Sequence, residues 1–156
     1  TWTRIWLVQI PSKLKMCLSR QSLPTADLLQ HLSMSTTNAC ELCVAEDSWI
    51  HSPLECNMSR CVWALVHPNL VEILSTTREP DARRWIFTLL ESLSHGDFLL
   101  LPVMLWAISH ALRRALHEEE FQSPAATHAF IYHYLSDLAI SVSSLAPRQV
   151  LLWWTF

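Results

Sequence analysis

The chain is 156 residues long, half of it apolar (51%) and only 16% charged, with a formal net charge of −3. That composition excludes a disordered, highly charged chain and a protein that is basic overall. It holds one glycine, Gly96, where average usage would give roughly eleven, so glycine-rich phosphate loops, dinucleotide fingerprints and a G-x-S-x-G elbow are excluded.

The first 38 residues carry Arg4, Lys13, Lys15 and Arg20 against Asp27 alone, and the remainder is net acidic. An anionic partner would therefore meet the N-terminal end. Ser12 to Ser19 is predicted as a short basic helix after Pro11, and Pro24 opens a second with Leu28, Leu29 and Leu32 on its inner side. The chain opens on Thr1, as a fragment or a processed product would. Its N-terminus lacks an apolar stretch with a small-residue cleavage site, so an intracellular setting is expected, with the nucleus as a candidate compartment.

Five cysteines follow, Cys17, Cys40, Cys43, Cys56 and Cys61. An odd number without a secretory signal does not describe a disulfide framework. Cys17 alone reads as a buried free thiol. Cys40, Cys43, His51 and Cys56 form C-x2-C-x7-H-x4-C. Two residues between the first pair allow a tight knuckle that turns both thiolates toward one point; the following loop returns His51, and a short turn brings Cys56. Zn2+ suits such ligation by three sulfurs and one nitrogen. Cys61, five residues beyond Cys56, is an alternative fourth ligand. Four protein ligands would leave no open position, so the site reads as structural, supplying about 10 kcal/mol or more of folding free energy to a segment too short to stand alone.

After the last ligand, Cys56 to Val66 is predicted as a helix carrying Val62, Trp63 and Val66. Pro80 is expected to open the next, in which Trp85, Ile86, Leu89, Leu90 and Leu93 recur at helical spacing. Ser94-His95-Gly96-Asp97 has the form of a capping box and predicts a long helix toward Glu118, with Pro102 either kinking it or marking its true start. The apolar run Phe98 to Ile108 is eleven residues, short of the ~20 that a membrane span needs. Arg113 and Arg114, with Glu118 to Glu120, make a solvated end. Ser123-Pro124 caps a last helix with the stripe Phe130, Ile131, Tyr134, Leu135 and Leu138. His117-Glu118-Glu119-Glu120-Phe121 lacks the second histidine of H-E-x-x-H, and no nucleophile–base set is legible. No catalytic residue is assigned.

Taken together, Trp6, Pro11-Ser12-Lys13-Leu14-Lys15-Met16, Ser22-Leu23-Pro24-Thr25, the four ligands and Arg60-Cys61-Val62-Trp63 resemble the zinc-binding domain of plant non-LTR retrotransposon reverse transcriptases over residues 2–66. Leu105-Trp106-Ala107-Ile108, Arg113-Arg114 and Phe121-Gln122-Ser123-Pro124 resemble the helical connector that leads in such proteins to an RNase H-like domain. The resemblance implies that Cys40, Cys43, His51 and Cys56 are the zinc ligands. It also implies a nucleic-acid-associated module beside a polymerase, and not the polymerase itself. Three departures stand out. Met16-Cys17-Leu18-Ser19-Arg20 runs early into Leu-Pro-Thr, Ser109 stands where the connector commonly has tryptophan, and Val44 follows the second knuckle cysteine where glycine is frequent. A left-handed backbone there would be strained by valine.

The expected fold class is mainly α: a small zinc-stabilised CCHC knuckle module followed by a helical segment. The expected divisions are 1–76 for the zinc-binding domain, 77–142 for the helical connector and 143–156 for an unassigned tail. The expected function is a non-catalytic module of retrotransposon origin, with Zn2+ as cofactor and Arg4, Lys13, Lys15 and Arg20 as nucleic-acid contacts. Expected partners are RNA or DNA, or a protein bound through the C-terminal helices, with no membrane and no small-molecule substrate. The alternative is a zinc-stabilised protein-interaction module or a decaying element without nucleic-acid binding.

Overall fold

A computed structural model describes residues 12, 30–33, 36–40, 42–77, 79 and 81–144. The predicted helix over 12–19 beyond its first residue, most of the one after Pro24, Pro80 and the tail from residue 145 lie outside this set. Leu32, expected on an inner face, is exposed.

The described chain is mainly α-helical, with helices α1 (Asn57–Val66), α2 (Pro68–Thr76), α3 (Ala82–Ser92), α4 (His95–His117) and α5 (Pro124–Ser144). Ahead of them, a wide five-residue turn over His51–Glu55 closes with the Cys56 N–H donating to the His51 carbonyl at 2.7 Å. Among the described residues no strand forms; Ala39 and Glu46 make a single antiparallel bridge.

Four of the five helix starts have a local cause. Asp81 accepts from the Arg84 N–H at 3.0 Å, so a carboxylate caps α3. Ser94 accepts from the Asp97 N–H at 3.2 Å and donates to the Asp97 carboxylate at 2.7 Å, a capping arrangement that begins α4. Ser123 does the same service for α5, accepting from the Ala126 N–H at 3.2 Å, with Pro124 in the first turn, where its missing N–H costs nothing. The helix α2 has no counterpart in the sequence reading. It is opened by His67, whose Nδ1 accepts from the Leu70 N–H at 3.1 Å, and by Pro68 at its first position.

Pro102 lies inside α4 and does not start it. Its ring removes one backbone hydrogen bond, a penalty of ~3 kcal/mol or more in a helix interior. The surroundings outweigh that penalty: Leu101, Val103, Met104, Leu105, Ala107, Ile108, Ala111 and Leu112 are all buried, on more than one face of the helix. A helix that is apolar nearly all round belongs in the middle of a fold. By length and composition alone, residues 96–117 are also long and apolar enough to cross a membrane; half of that stretch is buried against the rest of the chain.

Packing places α1 against α5 and α4, and α5 against α4, so these three helices enclose the core. Val62 and Trp63 of α1, Leu70 of α2, Leu89 of α3, Leu101, Val103, Met104 and Ile108 of α4, and Ile131 of α5 are among its most enclosed residues. The same core extends to Cys40 and Cys56. The wide turn rests on α1 and α4. The Trp63 indole N–H tethers it there by donating to the Pro53 carbonyl at 2.8 Å, and just ahead of the turn Trp49 meets Trp85 of α3 edge-on at 5.8 Å between centroids.

Candidate metal centre

The knuckle is a small hairpin. Asp47 N–H donates to the Asn38 carbonyl, Cys40 N–H to the Ala45 carbonyl and Val44 N–H to the Cys40 carbonyl, each at 2.8 Å. To make this turn Val44 adopts φ = 63°. That is the left-handed region, which disfavours a β-branched residue. The side chain escapes into solvent, 80% exposed, so the strain is confined to the backbone.

Cys40 and Cys43 stand on this hairpin. His51 begins the wide turn, and Cys56 ends it while also serving as the residue before α1. The ligand atoms of Cys40, Cys43, His51 and Cys56 all lie within 4.8 Å of one another. Cys40 Sγ and Cys56 Sγ are 3.8 Å apart, and Cys43 Sγ is 3.1 Å from His51 Nε2. Cys40, Cys56 and His51 are buried and Cys43 is half-buried. Cys61 lies on the exposed side of α1 and is not part of the cluster, so the third sulfur drawn in is that of Cys56.

The donor set has the chemistry of a cation site. Zinc–sulfur bonds of ~2.3 Å at tetrahedral angles separate two sulfurs by about 3.8 Å, which is the Cys40–Cys56 spacing. The backbone N–H groups of Leu42 and Cys43 are directed at the Cys40 sulfur, and that of Met58, in the first turn of α1, at the Cys56 sulfur. Such donors favour thiolates. Against them, burial pushes the Cys40 thiol up to about 12 and raises Cys56 as well, with mutual repulsion among the sulfurs adding to the shift. The cage thus gathers sulfurs whose ionised form needs a positive charge at their centre.

A polar collar surrounds His51. Asp47, a buried carboxylate, accepts from the Ser48 N–H at 3.0 Å and from the Ser52 hydroxyl. Ser48 Oγ accepts from the His51 N–H at 3.0 Å, and the Ser59 hydroxyl of α1 donates to the Ser52 carbonyl. The sequence reading passed over these residues. The available signal was Ser48 three positions ahead of His51, the spacing at which a hydroxyl caps a backbone N–H.

The remaining candidates fall elsewhere. Arg4, Lys13, Lys15 and Arg20 lie outside the described residues. His67 joins two helices: besides capping α2, its Nε2 lies 3.3 Å from the Asp97 carboxylate at the start of α4. Arg114 pairs with Glu118 at 3.0 Å and also with Glu120 at the solvated end of α4.

No family model, curated protein or solved structure matches the chain.

Proposed function

We propose that this chain is a non-catalytic zinc module in which Cys40, Cys43, His51 and Cys56 hold a structural Zn2+. The observation that carries the reading is the convergence of three sulfurs and one imidazole nitrogen within 4.8 Å. Soft thiolates with one imidazole select zinc over hard cations, and a site filled by four protein donors offers no position for water or substrate. The metal would join the hairpin to the start of α1, supplying charge neutralisation to sulfurs that burial otherwise keeps protonated. Metal stoichiometry on the purified protein beside Cys56→Ser tests it. One zinc per chain, lost in the variant, is the expected result; a well-folded wild type without bound metal would overturn it.

Around that centre the module is proposed to associate with nucleic acid beside a reverse transcriptase. The support is the resemblance over residues 2–66 and the N-terminal charges Arg4, Lys13, Lys15 and Arg20. Phosphate contacts make binding fall steeply with ionic strength. Fluorescence anisotropy with single-stranded RNA and DNA, across a salt series, should show such a fall, flattened when the four basic residues become alanine. The second reading, a protein-interaction module, is favoured by the exposed Phe121, Phe130 and Tyr132 toward the C-terminal end. An apolar interface of that kind would bind with little dependence on salt.

A further inference from the structure

We infer that Asp47 is a positioning residue of the metal centre, aiming the His51 imidazole through a hydrogen-bonded collar; this rests on the metal-site reading above. The starting observation is a carboxylate only 4% exposed, in a region where burying charge is costly unless it is well bonded. The bonds at its Oδ1 bracket one neighbour. This oxygen takes the Ser48 N–H at 3.0 Å and the Ser52 hydroxyl, so it grips the residues three before and one after His51. Ser48 in turn holds the His51 N–H through its hydroxyl, and its carbonyl takes the Ser52 N–H, both at 3.0 Å.

The far side of the collar is fixed to the helices. Ser59 of α1 bonds the Ser52 carbonyl, and the Cys56 N–H donates to the His51 carbonyl at 2.7 Å. The Asp47 N–H is tied to Asn38, beside the hairpin that carries Cys40 and Cys43. Asp47 therefore links the two halves of the donor set: its backbone belongs to the cysteine hairpin and its side chain to the histidine turn. These bonds reach the backbone and hydroxyls on either side of His51, so through them the carboxylate acts on the imidazole by geometry. Outer partners of this sort characteristically govern metal affinity by about 10–100-fold.

The test is cobalt(II) and zinc titration of the full chain, with the visible ligand-field bands of cobalt reporting the donor set. Asp47→Ala removes both acceptor functions and should weaken metal binding by about 10–100-fold. Its cobalt spectrum should move toward that of His51→Ala, because the imidazole is no longer presented. Asp47→Asn keeps an oxygen in the same place and should restore affinity and spectrum. Asp47→Ala added to His51→Ala should cost little more, since both remove one interaction. Ser52→Ala cuts one arm alone and should give a smaller loss with the same spectral direction.

Additive losses in the double variant, or an unchanged cobalt spectrum in Asp47→Ala and Ser52→Ala, would overturn the positioning role and leave Asp47 as a fold-stabilising residue only. A wild type that takes up no metal would overturn the metal site itself, and this inference with it. The wild-type titration therefore separates the two failures.

Discussion

The hairpin and wide turn over residues 36–56 and the helices from α1 to α5 are stabilised by different physics. The helical region buries leucine, isoleucine, methionine, valine and tryptophan from several elements. In the ligand region the most enclosed groups are Cys40, Asp47, His51, Pro53 and Cys56, three of which are candidate metal donors and one a carboxylate. Apolar burial is roughly additive and tolerant of error, whereas polar collars and donor cages stand or fall with each member. The difference predicts separable behaviour, with Trp63 and Pro53 as the joint between the two regions.

Metal removal tests the separation most severely. A closed zinc site contributes ~10 kcal/mol or more to the segment it holds. Chelation, or Cys56→Ser, should therefore release residues 36–56 while α4 and α5 keep their helical structure. Hydrogen exchange should show fast amides at Cys40, Val44, Asp47 and His51, with protected amides persisting around Leu101 to Ile108. Loss of all protection at once would mean that the helices have no stability of their own, and the comparison would fail.

The joint comes next. Trp63 is almost wholly enclosed and donates to the Pro53 carbonyl. Trp63→Ala should cost about 3–5 kcal/mol, the usual toll for an aromatic core residue. It also strands a carbonyl that had a partner, so both regions should loosen. Trp63→Phe separates the two contributions, because it keeps much of the volume and loses the N–H. Chemical denaturation in zinc and in chelator is the measurement. The Trp63→Phe penalty should be larger with zinc bound, when the turn that carries Pro53 is in place.

The pH dependence separates a folded metal-free hairpin from a released one, and both from the zinc form. In metal-free protein burial raises Cys40 from its ordinary value of 9.0 to about 12, and Cys56 in the same direction. A group whose folded value is raised contributes stability that is fully present below the unfolded value and is lost as pH climbs through the folded one. A metal-free hairpin that stays folded around these thiols should thus weaken from about pH 9 upward, whereas a hairpin released by chelation leaves Cys40 and Cys56 in solvent and adds no such dependence. The zinc form loses its metal on the other side, because protons compete with the cation for thiolate and imidazole, and affinity falls on acidification. Thermal unfolding with and without chelator across both ranges checks the signs.

These regions also differed in how much of them the sequence made legible. Helices α4 and α5 announced themselves through Ser94 and Ser123, whose capping geometry is local and can be seen without tertiary contacts. The stripe Val62, Trp63 and Val66 located α1, because helical spacing is likewise local. Pro102 could not be resolved locally, since it continues a helix only because surrounding apolar packing outweighs its missing hydrogen bond. His67 and Pro68 were sufficient to start α2, but with Leu70 and Leu74 as its only fully buried residues that short helix offers little periodicity to read. In the ligand region the four donor residues could be picked by spacing, since a knuckle and a return loop have few ways to converge. The collar could not. Asp47, Ser52 and Ser59 are ordinary polar residues in sequence, and only folding makes the first a buried acceptor facing the second. The basic residues Arg4 to Arg20 lie outside the described residues, and the phosphate-contact reading still rests on charge distribution alone.

The smallest expected effect concerns Val44, where, among the described residues, the ligand region carries evident backbone strain. Val44 holds φ = 63° with its side chain mostly in solvent, so substitution removes little packing. A left-handed conformation costs an L-residue roughly 1–2 kcal/mol, and glycine takes it freely. Part of that relief is offset by the greater freedom of glycine in the unfolded chain, about 0.5–1 kcal/mol. Val44→Gly should therefore stabilise the hairpin by about 0.5–1 kcal/mol and leave the helices unchanged. The two regions can be told apart by where the gain appears. If it is local, zinc affinity rises a few-fold while the helix unfolding transition in chelator stays put. If the helix transition shifts by the same amount in chelator, the hairpin is formed without metal and folds cooperatively with the core, and the division between the two regions would have to be abandoned.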